Sequence, residues 1–153
     1  MDMDRNVYHY KECGLNNIYL ANGYKTIKTE RGEAISIHDI DGLHRAIGMH
    51  LISLKKDLTG EELRFLRHEM LMSQKTLAFL VGVSEQAIRR WENGKTCIAK
   101  SSESLLRLIY SERILNQHSK ITEILKRIAN LEDQLNSKEI FFEDTPKGWK
   151  ASA

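Results

Sequence analysis

The chain has 153 residues, with 23 Lys+Arg against 21 Asp+Glu, 29% charged and 41% hydrophobic residues, six His, two Cys and one Pro. A formal charge of +2 excludes a polycation that coats nucleic acid or anionic lipid with its whole surface, so any nucleic-acid site has to be local. Cys13 and Cys97 cannot supply the disulfide framework of a small secreted domain, the acidic start has no apolar run, and no stretch approaches the roughly 18 uncharged apolar residues of a membrane span. A cytoplasmic protein without membrane contact is expected.

Strand signals occupy Val7–Tyr10, Ile18–Leu20, Tyr24–Thr29 and Ala34–Ile37. Asn22-Gly23 is the dipeptide that most readily takes the two positive φ angles of a type I′ hairpin turn, and Arg31-Gly32 marks a second turn. A small antiparallel meander follows as the expectation. Three short strands bury little alone, so a helix has to cover one face. Leu43, Ile47, Leu51 and Leu54 recur on one helical stripe directly afterwards, with Asp41 placed to cap.

From residue 58 onward the period is helical. Thr59-Gly60-Glu61-Glu62 is a capping box, opening a helix with Leu63, Leu66 and Met70 on one side. Ser73 caps a short helix from Gln74 to Leu80 with Leu77, Ala78 and Leu80 facing inward. Val81-Gly82-Val83 turns the chain, and Ser84 caps a further helix that ends at Asn93-Gly94. Ser101 to about Gln117 reads as another helix through Leu105, Leu108 and Ile109. Ile121, Ile124, Ile128, Leu131 and Leu135 then form a short a/d seam, which fits either a dimer coiled coil or a helix folded back on its own domain. Residues 137 to 153, with Phe141, Phe142 and Trp149, show no period and read as a flexible tail.

The segment Leu71 to Lys95 has the spacing of a helix-turn-helix. Ala78 is small where the second helix crosses close, and Gly82 lets the chain turn sharply. Val83, Ile88 and Trp91 are the inward anchors. The outward face, begun at Ser84, carries Glu85, Gln86, Arg89 and Arg90, side chains that suit base edges in a major groove. Adjacent helical residues point about 100° apart, so one of the two arginines faces bases, and Arg90 is favoured over a solvated role for both. Ser73, Gln74 and Lys75 open the preceding helix, where free N–H groups favour a phosphate, and Lys95 is a further phosphate candidate.

Leu-x-Ser-Gln-x-x-Leu-Ala-x-x-x-Gly-Val-Ser-x-x-x-Ile-x-x-Trp-Glu-x-Gly-Lys, as it runs from Leu71 to Lys95, resembles the phage-repressor-like (Xre/Cro) helix-turn-helix family. The resemblance implies Gln74 on phosphate, Glu85, Gln86 and Arg90 on bases, and a structural role for Glu92 and Gly94. With its β-rich front half the chain is similar to MqsA/HigA-type antitoxins, which dimerise, bind a palindrome in their own promoter and hold a toxin with the N-terminal module. It departs from them in lacking the paired CxxC motifs that hold zinc there, having Cys13 alone, a departure that bears on both the zinc site and the toxin-binding role.

The remaining metal-like set, His9, Cys13, His38 and His44, is an allowed zinc donor set without the spacing of a knuckle, and packing or surface roles account for it equally well; no cofactor and no metal are expected. His68-Glu69 lacks the second His of a zincin motif, and Cys13 has no evident basic partner, so an enzyme is not expected.

The whole reading is a mainly α chain, α+β overall. Residues 1–57 form a small β-rich module for a toxin partner or dimerisation, and 58–117 the DNA-binding domain. Residues 118–136 form an amphipathic helix suited to dimerisation, and 137–153 the tail. The expected activity is repression by a homodimer on double-stranded operator DNA, with a cognate toxin as further partner. The alternatives are a stand-alone phage-type or metabolic regulator and a primarily toxin-neutralising interaction protein. Residues 1–57 hold eight basic and eight acidic groups, 101–153 again eight and eight, and 58–100 seven against five, so the whole charge excess lies in the helix-turn-helix.

Overall fold

The computed structural model describes residues 7–55, 57–115 and 141–151. Six short strands form three separate antiparallel pairs, and five helices make up the body: β1 Tyr8–His9, β2 Tyr19–Leu20, β3 Tyr24–Thr29, β4 Gly32–Ile37, α1 Ile40–Leu54, α2 Gly60–Glu69, α3 Gln74–Val81, α4 Glu85–Glu92, α5 Lys100–Leu115, β5 Phe142–Thr145 and β6 Gly148–Ala151. The chain is mixed α+β and mainly helical.

The expected meander is two ladders instead. β1 pairs with β2 through Tyr8↔Leu20, and β3 with β4 through Tyr24↔Ile37 to Thr29↔Gly32. Asn22-Gly23 therefore joins strands of different pairs: Gly23 has φ +79°, but its carbonyl accepts from His38 N–H at 2.8 Å beside the β3–β4 ladder. The tight hairpin turn is Glu30-Arg31, one residue before the expected site, because Gly32 at φ +120° is already a paired strand residue.

The cap of α1 also shifts. Asp39, in the left-handed region at φ 47°, accepts from Gly42 N–H at 3.2 Å, leaving Asp41 inside the first turn. Of the apolar stripe of α1, Ile47 and Leu51 are buried, whereas Leu54 is 74% exposed. α1 packs on α2 and α5 rather than across the β3–β4 ribbon. Gly48 is where α5 comes closest: a β-carbon there would overlap the Tyr110 phenol.

α2 opens with the full capping box, Thr59 Oγ1 accepting from Glu62 N–H at 3.2 Å and Glu62 accepting from Thr59 N–H at 2.8 Å. Ser73 and Ser84 cap α3 and α4 through the hydroxyl alone, without the reciprocal bond of a capping box. Met72 and Leu77, in the positions of a hydrophobic staple around the Ser73 cap, are both buried. α2, α3 and α4 all end in a Schellman motif, with Leu71, Gly82 and Gly94 supplying the positive φ angle.

On α5 the buried face is Leu106, Ile109 and Tyr110: of the stripe expected through Leu105, Leu108 and Ile109, Ile109 is wholly buried, Leu105 half-buried and Leu108 52% exposed, so the inward side is rotated towards Tyr110. Buried residues from Tyr10 and Leu15 through Ile47 and Leu63 to Tyr110 make one cluster.

The seam from Ile121 to Leu135 lies outside the described residues. Part of the expected tail is a hairpin: β5 pairs with β6 through Phe142↔Ala151 to Thr145↔Gly148. Thr145-Pro146-Lys147-Gly148 makes this turn, with Pro at its second position and Gly148 at φ +107°.

Candidate nucleic-acid interface

α3 and α4 pack on each other, and α2 supports α4 from behind. Ala78 is buried at the crossing, Ile88 is wholly buried, Trp91 is 7% exposed, and Val83 is half-buried in the turn. Gly82, at φ +74°, donates to Phe79 O while the next residue, Val83, donates to Ala78 O, which ends α3 and redirects the chain within two residues.

Ile88, Trp91 and Glu92 define the inward side of α4. At about 100° per residue, Gln86 and Arg90 then lie at the middle of the outward face, with Arg89 at its flank towards α3. Both central side chains are exposed and make no hydrogen bond or ion pair among the described residues. Arg89 is held instead: its Nη2 donates to Glu85 Oε1 at 2.8 Å and its Nε to Gln74 Oε1 at 3.3 Å. Lys75 on α3 and Lys95 after α4 are exposed next to these elements.

Behind the face lies a buried polar network. The Glu92 carboxylate, fully enclosed, accepts from Arg67 Nε at 2.6 Å and Nη2 at 3.3 Å and from Gln74 Nε2 at 2.6 Å. Arg67 also donates to Met72 O at 3.0 Å. A buried carboxylate is costly unless its lone pairs are filled by well-placed donors, and here α2 and α3 supply them to α4. Gln74, expected on phosphate, spends its amide N–H on Glu92 and its carbonyl on Arg89. It acts as a clamp between α3 and α4. The Ser73 and Ser84 hydroxyls likewise serve their own helices, accepting from Thr76 N–H at 3.0 Å and Ala87 N–H at 3.1 Å.

The C-terminus of α4 is fixed by α2. Arg64 Nη2 reaches Glu92 O and Asn93 Oδ1, each at 3.4 Å, and a cation there complements the helix dipole. A β-carbon on Gly60 would overlap Trp91 O and lie 2.8 Å from Glu92 O, so α2 can approach this closely only with glycine. The sequence reading passed over Arg64, Arg67 and Gly60. For Arg67 a signal existed: it sits four residues after Leu63, on the apolar stripe of its helix.

The four metal candidates have separate partners. His9 Nε2 bonds Asn16 O at 2.6 Å and its ring stacks on Tyr19, Cys13 Sγ donates to Tyr10 O at 3.6 Å, and His38 is exposed at the end of β4. His44 lies between the Tyr10 hydroxyl and Glu69 Oε1, each at 2.7 Å. Burial raises the Tyr10 phenol above its ordinary range, with the nearby Cys13, Glu12 and Glu69 adding to it. Among the described residues no three His, Cys, Asp or Glu groups converge where a metal ion could sit.

Residues 63–101 match the family model described as helix-turn-helix. That stretch, about a quarter of the chain, contains α3, α4 and every residue of the buried network. The match makes it similar to the DNA-binding domains of transcription regulators, a class that is typically non-enzymatic. No curated protein and no solved structure matches the chain. Among the described residues no helix is long and apolar enough to cross a membrane.

Proposed function

We propose that this chain is a sequence-specific transcriptional repressor of antitoxin type, which binds a palindromic operator of its own operon as a homodimer. The observation that carries the reading is the pair of unpartnered side chains, Gln86 and Arg90, at the middle of a rigidly backed helix face. Gln pairs bidentately with adenine and Arg with guanine. Lys75 and Lys95 beside that face take backbone phosphates and set the register. Two copies of α4 then enter successive major grooves about one helical turn apart. In this reading residues 118–136 supply the dimer contact and 1–57 the partner module.

Gel-shift titrations on the DNA upstream of the gene test it. Arg90→Ala should cost about 1 to 3 kcal/mol on the operator and relax one base pair, whereas Lys75→Ala should weaken operator and random DNA alike. Equal losses on both DNAs for Arg90→Ala would refute base reading by that residue.

One observation favours a second reading, in which toxin neutralisation is primary. The β3–β4 ribbon is exposed along most of its length, Ile27 included at 47%, and neither edge carries a third strand among the described residues. Such an edge can accept a strand from another protein. Co-purification with the product of the neighbouring frame, lost when the ribbon is replaced by a short loop, supports it. An unrelated neighbour leaves a stand-alone regulator.

A further inference from the structure

A cleft of about 350 Å³ lies between the β1–β2 ladder and α1, and no residue of α3 or α4 lines it. The volume is at the lower end of the range for small-molecule sites, which are mostly apolar with a few polar groups that fix orientation. Its walls are Ile18 and Leu20 on one side and Leu43, Ile47 and Leu51 on the other. These three α1 residues form one stripe, which continues to Lys55 just past the helix end. From Leu43 to Lys55 the helix direction covers roughly 18 Å at 1.5 Å per residue. The cleft is therefore long, apolar along its length and charged at one end.

At that end Lys55 Nζ donates to Glu62 Oε1 at 2.6 Å. An ammonium group has three donors, so two remain. The ion pair is neutral overall, but the Glu62 side chain is 4% exposed and that of Lys55 37%, so the groups open to an incoming head are the remaining N–H donors of Lys55, with His50 exposed beside it. A carboxylate accepts from these N–H groups with charge assistance, a hydroxyl accepts from them more weakly, and an ammonium head cannot accept from them at all.

We propose that this cleft binds a linear amphipathic carboxylate, its tail along Leu43 to Leu51 and its head on Lys55. Such a ligand draws Lys55 away from Glu62, the residue that closes the capping box of α2. The first turn of α2 is the part that abuts α4 at Gly60, so occupancy of the cleft acts on the seating of the recognition helix. This regulatory step rests on the DNA-binding reading; the binding step does not.

Isothermal titration of the full chain with decanoate, decanol and decylammonium tests binding. Decanoate should bind one to one, the other two about tenfold more weakly or worse, and Lys55→Gln should bring decanoate to the level of decanol. Ala46→Trp fills the cleft from an exposed position, and should abolish binding while circular dichroism and the melting temperature stay unchanged. Equal affinity for decanol and decanoate, binding unaffected by Ala46→Trp, or uptake of many molecules per chain would overturn the proposal. So would a change of oligomeric state on Ala46→Trp without ligand, which identifies a second copy as the occupant. Operator titrations with and without decanoate then read the coupling: a shift in wild type that is absent in Ala46→Trp supports it, and an unchanged affinity with decanoate bound overturns it. The calorimetry uses no DNA, so failure of the cleft and failure of the DNA reading are distinguishable.

Discussion

Leu71 is in the left-handed region at φ 54° and is 91% exposed. It ends α2 in a Schellman motif, its N–H donating to His68 O at 2.9 Å while Met72 N–H donates to Arg67 O at 3.2 Å. At the equivalent places after α3 and α4 the chain uses Gly82 and Gly94. A side chain in this conformation brings its β-carbon against the following carbonyl, a cost of about 1 to 2 kcal/mol. Leu71→Gly removes that cost, loses almost no burial, and pays about 0.5 to 1 kcal/mol for the freer unfolded chain. The net expectation is a gain of about 1 kcal/mol. At about 2.1 cal/mol/K per residue, this raises the melting temperature of a chain of this length by about 3 °C. Leu71→Ala keeps the β-carbon and should stay within about 0.5 kcal/mol of wild type. Urea denaturation at constant m-value reads both variants. A lower midpoint for Leu71→Gly, or an equal gain for Leu71→Ala, would show that the side chain holds the turn through a contact and that strain is not the controlling term.

Glu92→Ala leaves Arg67 buried and unpaired and should cost about 3 to 5 kcal/mol in urea unfolding, while a loss below about 1 kcal/mol would mean that Arg67 finds water instead. Gly60→Ala sets a β-carbon against the backbone of Trp91, which cannot swing aside, and should destabilise by about 1 to 3 kcal/mol and weaken operator binding; an unaltered melt refutes the close approach. The Tyr110 hydroxyl is buried without a hydrogen-bond partner among the described residues, so Tyr110→Phe should be neutral or stabilising at pH 7. Burial, with Glu69 adding and Arg45 opposing, pushes the Tyr110 phenol up to about 12. The folded chain then keeps a proton that the unfolded chain loses near pH 10. Wild-type stability should hold up to about pH 10 and fall by at most about 1.4 kcal/mol per pH unit towards pH 12 from this group, a decline that Tyr110→Phe lacks.

What the sequence made legible was local. The capping box at Thr59, the serine caps and the glycines after α3 and α4 act over three to six residues, so composition and spacing specify them without reference to the rest of the chain. Pairing of strands is a different problem. Asn22-Gly23 does bring a positive φ, but the partner of β2 is β1, and only the packing of Tyr10, Leu20 and Tyr24 on the helices decides that. The rotated face of α5 has the same origin: Leu105 and Leu108 have the right period, but Gly48 on α1 admits Tyr110, which sets the side that turns inward. Gln74 was assigned by resemblance to phosphate, and the need of a buried carboxylate for a further donor turned it inward. Arg67 and Glu92 are 25 residues apart, and nothing local pairs them.

That buried pair also changes how the charge of the chain acts. Counted along the sequence, residues 58–100 hold seven basic groups against five acidic ones. Arg67 and Glu92 are buried and paired with each other, which takes one cation and one anion from the surface. Glu85 is further drawn onto Arg89. Each pair cancels one charge of either sign, so the excess of two is unchanged, but the cations left exposed on and beside α3 and α4 are few, Arg90, Lys75 and Lys95. Each phosphate neutralised contributes about 0.9 to the slope of log affinity against log salt, so two or three contacts per subunit make a shallow dependence for a monomer and a doubled one for a dimer. The slope measured on operator DNA is thus a count of engaged subunits. A dimer reading α4 in two grooves has to show about twice the slope of a variant that binds as a single subunit.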